Sequence, residues 1–176
     1  MKFDFIMLLS FSSLIWAESR KSLFDGESLK GWDGNPNYWR VQEGAILGEN
    51  TKEMPTKGNT FLIWKGGTLR DFDLTLEYKI EAGNSGIQYR SFIKPGEHDG
   101  WRISGYQADL EAGDKFSGIC YGEGFRGILS MRGDKTTILG LNEKGKPEKR
   151  IEKFGDSVKL GAVSYTHLTL PTILLV

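Results

Sequence analysis

Asp71-Phe-Asp-Leu-Thr-Leu-Glu-Tyr-Lys-Ile-Glu-Ala-Gly-Asn-Ser-Gly-Ile-Gln-Tyr-Arg-Ser-Phe92 is the stretch whose reading decides the fold. From Phe72 to Ile80 the apolar residues fall at every second position (Phe72, Leu74, Leu76, Tyr78, Ile80), with Asp71, Asp73, Thr75, Glu77 and Lys79 between them. A period of two describes a half-buried strand, since successive side chains on a strand point to opposite faces. Glu81 to Gly86 supplies turn residues, and Ile87-Gln-Tyr-Arg90 resumes the alternation. The expectation is two long strands around one turn, one face forming core and the other carrying Glu77, Gln88 and Arg90.

The rest of the chain repeats this pattern. Tyr38 to Gly48 reads as a hairpin turning at Glu43-Gly44, Phe61 to Trp64 as a short apolar strand, Trp101 to Glu111 as a longer one, and Gly127 to Met131 as another. Glu49 to Asn59 and Lys94 to Gly100 read as loops, and Asn142 to Arg150 as a charged loop or hairpin tip. No window sustains a period of 3.6. Short strands separated by glycine turns indicate an all-β sandwich or jelly roll in one domain.

Composition narrows the partners. Acidic and basic residues balance at 23 each with no basic cluster, which argues against nucleic acid. Five Trp in 176 residues suit an aromatic core or a surface that stacks on sugar rings. Met1-Lys2, the apolar run Phe5 to Trp16 and Ala17 read as a secretory signal peptide, too short for a stable membrane span, so a periplasmic or secreted protein without membrane insertion is expected. Val163 to Thr172 matches the translation of a transposase-end library oligonucleotide. The natural sequence is therefore expected to leave this one near Ala162, and Tyr165 and His167 carry no functional weight. Cys120, the single cysteine, reads as a small buried strand residue and excludes an internal disulfide.

Phe24-Asp-Gly-x-Ser-Leu-x-Gly-Trp32, Tyr38-Trp-Arg-Val41, Gly83-Asn-Ser-Gly-Ile-Gln-Tyr-Arg90, Gly105-Tyr-Gln-Ala-Asp109, Ser117-Gly-Ile119 and Arg126-Gly-Ile-Leu129, in that order, resemble the 3-keto-disaccharide hydrolase family. The resemblance runs from Leu23 to about Ala162. It implies a concanavalin-like jelly roll of two antiparallel sheets, exported by polysaccharide-degrading bacteria and acting on glycosides oxidised at sugar C3. Family members normally continue through several more strands.

Parity along Trp101 to Glu111 places candidate site residues independently. Tyr106, Ala108 and Leu110 are apolar, so Gln107, Asp109 and Glu111 share the other face, and Gln88 and Arg90 stand away from Ile87 and Tyr89 in the same manner. Such a face of mixed donors and acceptors suits a saccharide. A C3 ketone acidifies the C2 proton, so the implied chemistry needs a base, a stabiliser for the enolate and an acid for the leaving oxygen. Asp109 or Glu123 is the candidate base, Arg90 the charge stabiliser and Tyr121 the acid. Gln88, Gln107, Glu77 and Trp101 are candidate substrate contacts.

Each has a structural rival. Arg90 and Asp109 would equally make a cross-strand ion pair, Gln107 would satisfy backbone, Trp101 would pack at a rim, and Glu123 between glycines would belong to a loop or lid. An ordinary glycosidase would pair Asp109 with Glu123, Glu111 or Glu77. No cofactor is expected, with His98 beside Glu97 and Asp99 the sole candidate for a divalent metal. A non-catalytic carbohydrate-binding module would use the same fold and face.

Overall fold

The computed structural model describes residues 20–96 and 100–156, so the N-terminal apolar run, His98 and the stretch after 156 lie outside the described residues. Ten strands follow in chain order: β1 Trp32–Asp33, β2 Trp39–Gln42, β3 Ala45–Gly48, β4 Ile63–Trp64, β5 Asn84–Ile93, β6 Ile103–Glu111, β7 Cys120–Glu123, β8 Gly127–Ser130, β9 Asp134–Leu141 and β10 Pro147–Lys153. They form antiparallel pairs β1-β4, β2-β3 and β9-β10, and one antiparallel sheet in the order β5-β6-β7-β8. The architecture is all-β, consistent with a jelly-roll sandwich, and no helix among the described residues is long and apolar enough to cross a membrane.

Local chemistry explains the connections. Gln42 pairs with Ala45 across Glu43 and Gly44, both at positive φ (51° and 75°), the conformation a two-residue hairpin needs to match strand twist. The expected hairpin is thus present at the expected turn. The charged stretch after Leu141 is the tip of the β9-β10 hairpin, where Asn142 Oδ1 accepts from the backbone N–H groups of Lys144 and Lys146 at 3.0 and 2.9 Å.

β6 is the centre of the four-stranded sheet, laddered to β5 on one edge and β7 on the other, and it is the most buried element of the chain. Its Ile103, Ala108 and Leu110 form the buried apolar core with Ile119 and Leu129. Tyr89 and Tyr106, directly opposite each other, stack at 5.9 Å between ring centroids on the even face of β6, and Phe125 meets Tyr106 edge-on at 5.4 Å. A cavity of about 230 Å³ on this face is lined by Tyr89, Tyr106, Cys120, Leu129, Thr136 and Ile138 among others.

Two expectations are corrected. Residues 72–80 keep their alternation, half-buried at 72, 74, 76, 78 and 80 and exposed between, yet they join no ladder among the described residues. Alternation reports which side chains meet apolar neighbours, whereas a ladder also needs a partner backbone about 4.8 Å away; β5 turns its paired edge to β6 instead. The second correction concerns the alternation of β5 past Tyr89. Tyr89 pairs with Tyr106 and Phe92 with Ser104, so Arg90 and Ser91 together face the single residue Gly105 in a β-bulge, and Arg90 takes φ +48°. The extra residue shifts the alternation beyond it, so Phe92 stands opposite Ser104 on the Tyr106 face instead of on the face of Gln88.

The N-terminal segments are tied to the sheet by polar contacts. Trp101 Nε1 donates to Asp33 Oδ1 at 2.8 Å. Glu123, 3% exposed, is held by Arg102 at 2.5 Å and by Asn59 Nδ2 at 3.0 Å, and the Arg102 guanidinium also lies over the Phe61 ring. Removing one member of a buried ion pair strands the other charge. Arg102→Ala is therefore expected to destabilise the fold by about 3–5 kcal/mol, with Arg102→Met plus Glu123→Leu recovering most of that loss, both read by urea denaturation.

Candidate functional site

β5, β6 and β7 bring one set of polar side chains to the odd face of β6. In register, Asn84 stands opposite Glu111, Gly86 opposite Asp109 and Gln88 opposite Gln107, while on the other side Tyr121 stands opposite Gln107 and Glu123 opposite Gly105. The predicted parity of Gln88, Gln107 and Asp109 is therefore what the ladder contains.

These groups are buried and hydrogen-bonded to each other. Gln107 and Asp109 are 8% and 6% exposed. Gln88 Nε2 donates to Gln107 Oε1 at 3.1 Å, Gln107 Nε2 donates to Asp109 Oδ1, and Asn84 Nδ2 reaches Asp109 Oδ2 at 3.4 Å. Gly86 makes room for this arrangement: a Cβ there would stand 2.7 Å from Gln107 Cγ and 2.7 Å from the Ala108 carbonyl oxygen. Gln88 Oε1 is buried with no hydrogen-bond partner among the described residues.

Burial pushes the Asp109 carboxyl above the ordinary value of 3.8; donation from Gln107 and Asn84 offsets part of that rise, and the negative charges of Glu111 and Glu123 add to it. A buried carboxylate with raised proton affinity is the electrostatic profile of a general base.

The other carboxylates have different surroundings. Glu111 Oε2 accepts from the backbone N–H groups of Lys115 and Phe116 at 3.2 and 2.7 Å, which fastens the turn after β6. Glu123 is neutralised by Arg102 and Asn59. Glu77 is exposed on 72–80 and makes no contact with the buried polar group among the described residues.

The remaining sequence candidates are dispersed. Arg90 reaches Asp71, a residue before β5, at 3.9 Å. Trp101 is half-buried, and its Nε1 donates to Asp33. Tyr121 is half-buried on the same face as Gln107. Cys120 lies on the opposite face, its Sγ 3.9 Å from the Tyr89 hydroxyl, and burial pushes its thiol up, away from the thiolate a nucleophile needs.

Asn84, Asn59 and Arg102 are contributors that sequence reasoning missed. Asn84 was absorbed into the turn before β5, although its parity with Gln88 was available as a signal. Asn59 contacts Glu123 across 64 residues, a separation no local pattern encodes. Among the described residues no group of three or more His, Cys, Asp or Glu side chains is placed to hold a metal ion, and the His98 candidate lies outside them.

Neither the curated proteins nor the solved structures gave a match to this chain. The model of the 3-keto-alpha-glucoside-1,2-lyase-like domain matches residues 19–157, a span that contains every strand of the sheet and the whole Gln88, Gln107 and Asp109 group. With most of its length covered by that match, the chain belongs to the 3-keto-alpha-glucoside-1,2-lyase-like family.

Proposed function

We propose that this protein is an exported enzyme that cleaves the glycosidic bond of 3-keto-glycosides, with Asp109 as the base. The observation that carries the reading is a buried carboxylate of raised proton affinity, held by amide donors on the polar face of the central strand. The family's description supplies the substrate class.

In the proposed reaction Asp109 removes the C2 proton, which the neighbouring C3 ketone acidifies, and the C2–H electron pair moves into the enolate. The enolate collapses to re-form the ketone and the C1–C2 double bond as the C1–O bond breaks. The departing oxygen takes a proton, for which Tyr121 is the group on the same face. Addition of water across the new double bond would complete net hydrolysis.

Strand geometry weighs against an ordinary two-carboxylate glycosidase. Glu123 is in register with Gly105, four residues along β6 from Asp109, a backbone offset of about 14 Å. Inverting pairs work at about 6.5–9.5 Å and retaining pairs at about 5 Å. Glu111 is nearer in sequence but is engaged by the following turn.

Incubating the full chain with a 3-keto-glucoside tests the proposal. Release of the aglycone is expected, with Asp109→Asn lowering kcat by about 10²–10⁴-fold while sugar binding persists. Binding without turnover would make the protein a carbohydrate-binding module, and cleavage of the unoxidised glycoside would make it a conventional hydrolase. Tyr121→Phe is expected to slow alkyl glycosides more than aryl ones, because a poor leaving group depends more on protonation.

The raised proton affinity of Asp109 also predicts a pH effect on stability. The native carboxyl keeps its proton where the unfolded one has lost it, so its contribution is fully present below 3.8 and is lost as pH rises through the raised native value. Asp109→Asn lacks this loss. Its Tm relative to wild type should therefore increase as pH rises from below 3.8 to neutral, as measured by calorimetry.

A further inference from the structure

The hydrogen bonds around Asp109 have a direction. Gln88 donates its amide to the Gln107 carbonyl, and Gln107 in turn donates its amide to Asp109 Oδ1. The sequence cannot run the other way: with Asp109 ionised, a flipped Gln107 would aim its carbonyl oxygen at the carboxylate and its NH₂ at the Gln88 amide. The carboxylate thus sets the Gln107 orientation, which turns the Gln107 carbonyl toward Gln88 Nε2, and the bond from Gln88 holds it there. Asn84 fixes the second oxygen from β5, and Gly86 leaves the gap through which the Gln107 side chain passes.

We infer that Gln88 and Gln107 act as one two-amide relay that positions Asp109, in place of contacting substrate separately as the sequence suggested for both. Gln107 is a positioning residue acting directly on the carboxylate, and Gln88 is a positioning residue acting through Gln107. The mechanistic use of the relay rests on Asp109 being the base of the reaction proposed above.

The relay works against everything else around the carboxyl. Burial favours the neutral acid, as do the negative charges of Glu111 on β6 and Glu123 on β7. Cys120 of β7 is itself shifted toward its neutral form by burial and by the charge of Asp109. β5 presents the uncharged Asn84 and Gly86 beside Asp109. Among the side chains acting on Asp109, the amide donors of Gln107 and Asn84 are what favour the anion.

The test is the pH dependence of kcat/KM on 3-keto-glucoside, together with a ¹³C NMR titration of the Asp109 carboxyl carbon in the full chain without substrate. Gln107→Leu is expected to move both the acidic limb and the carbon titration to higher pH by about one to two units. Gln88→Leu should move them in the same direction by less, and the double variant should add nothing beyond Gln107→Leu. Should Gln107→Leu fail to fold, the half-buried Gln88→Leu carries the test.

Variants that lower activity or Tm while leaving both titrations unmoved would overturn the relay, as would strictly additive shifts. If wild type turns over no 3-keto-glucoside, the reading of the function fails, and the carbon titration still decides the relay.

Discussion

The antiparallel register of β5 on β6 is the constraint on which the rest depends. Placing Gly86 against Asp109 and Gln88 against Gln107 puts a missing side chain beside a carboxylate and two amides face to face. A slip by one residue would exchange these for Ile87 and Tyr89 and drive polar groups into the tyrosine stack. Register is strongly specified here because the two faces of β6 are so different: Tyr106, Ala108 and Leu110 on one, Gln107 and Asp109 on the other, with nearly the whole strand buried. Polar groups buried to this degree have to find partners within the protein, and the ladder is what brings those partners within reach.

Three buried or half-buried carboxylates lie along this sheet, and their surroundings divide them. Glu123 is clamped by a guanidinium and an amide, and Glu111 by two backbone N–H groups. Both carboxylates are engaged by donors from within the protein. Asp109 receives neutral side-chain amides on both oxygens, so burial dominates and proton affinity rises.

Parity made much of this legible. The alternation of Tyr106, Gln107, Ala108, Asp109 and Leu110 assigns each side chain its face without any knowledge of neighbours, and glycine in the second position of Glu43-Gly44 marks the hairpin. Pairing was less legible. Residues 72–80 have the same alternation and the same pattern of exposure, but no ladder among the described residues. The Arg90 bulge was hidden for a different reason. A left-handed conformation is ordinarily signalled by Gly, Asn or Asp, and arginine gives no such sign. Contacts between residues far apart in sequence, such as Asn59 with Glu123, are set by how the segments pack and leave no local trace.

The bulge also divides the labour of a single strand. Up to Tyr89, β5 is a precision element whose side chains are held in fixed relation to β6; beyond Ser91 it still pairs with Ser104 and Ile103, but Phe92 and Ile93 are exposed. One additional backbone unit acts as a joint between those regimes. Deleting it would straighten the strand and leave Ser91 opposite Gly105 and Phe92 opposite Ser104, so both halves would keep the faces they have. Change can therefore accumulate past the joint without disturbing the carboxylate's company.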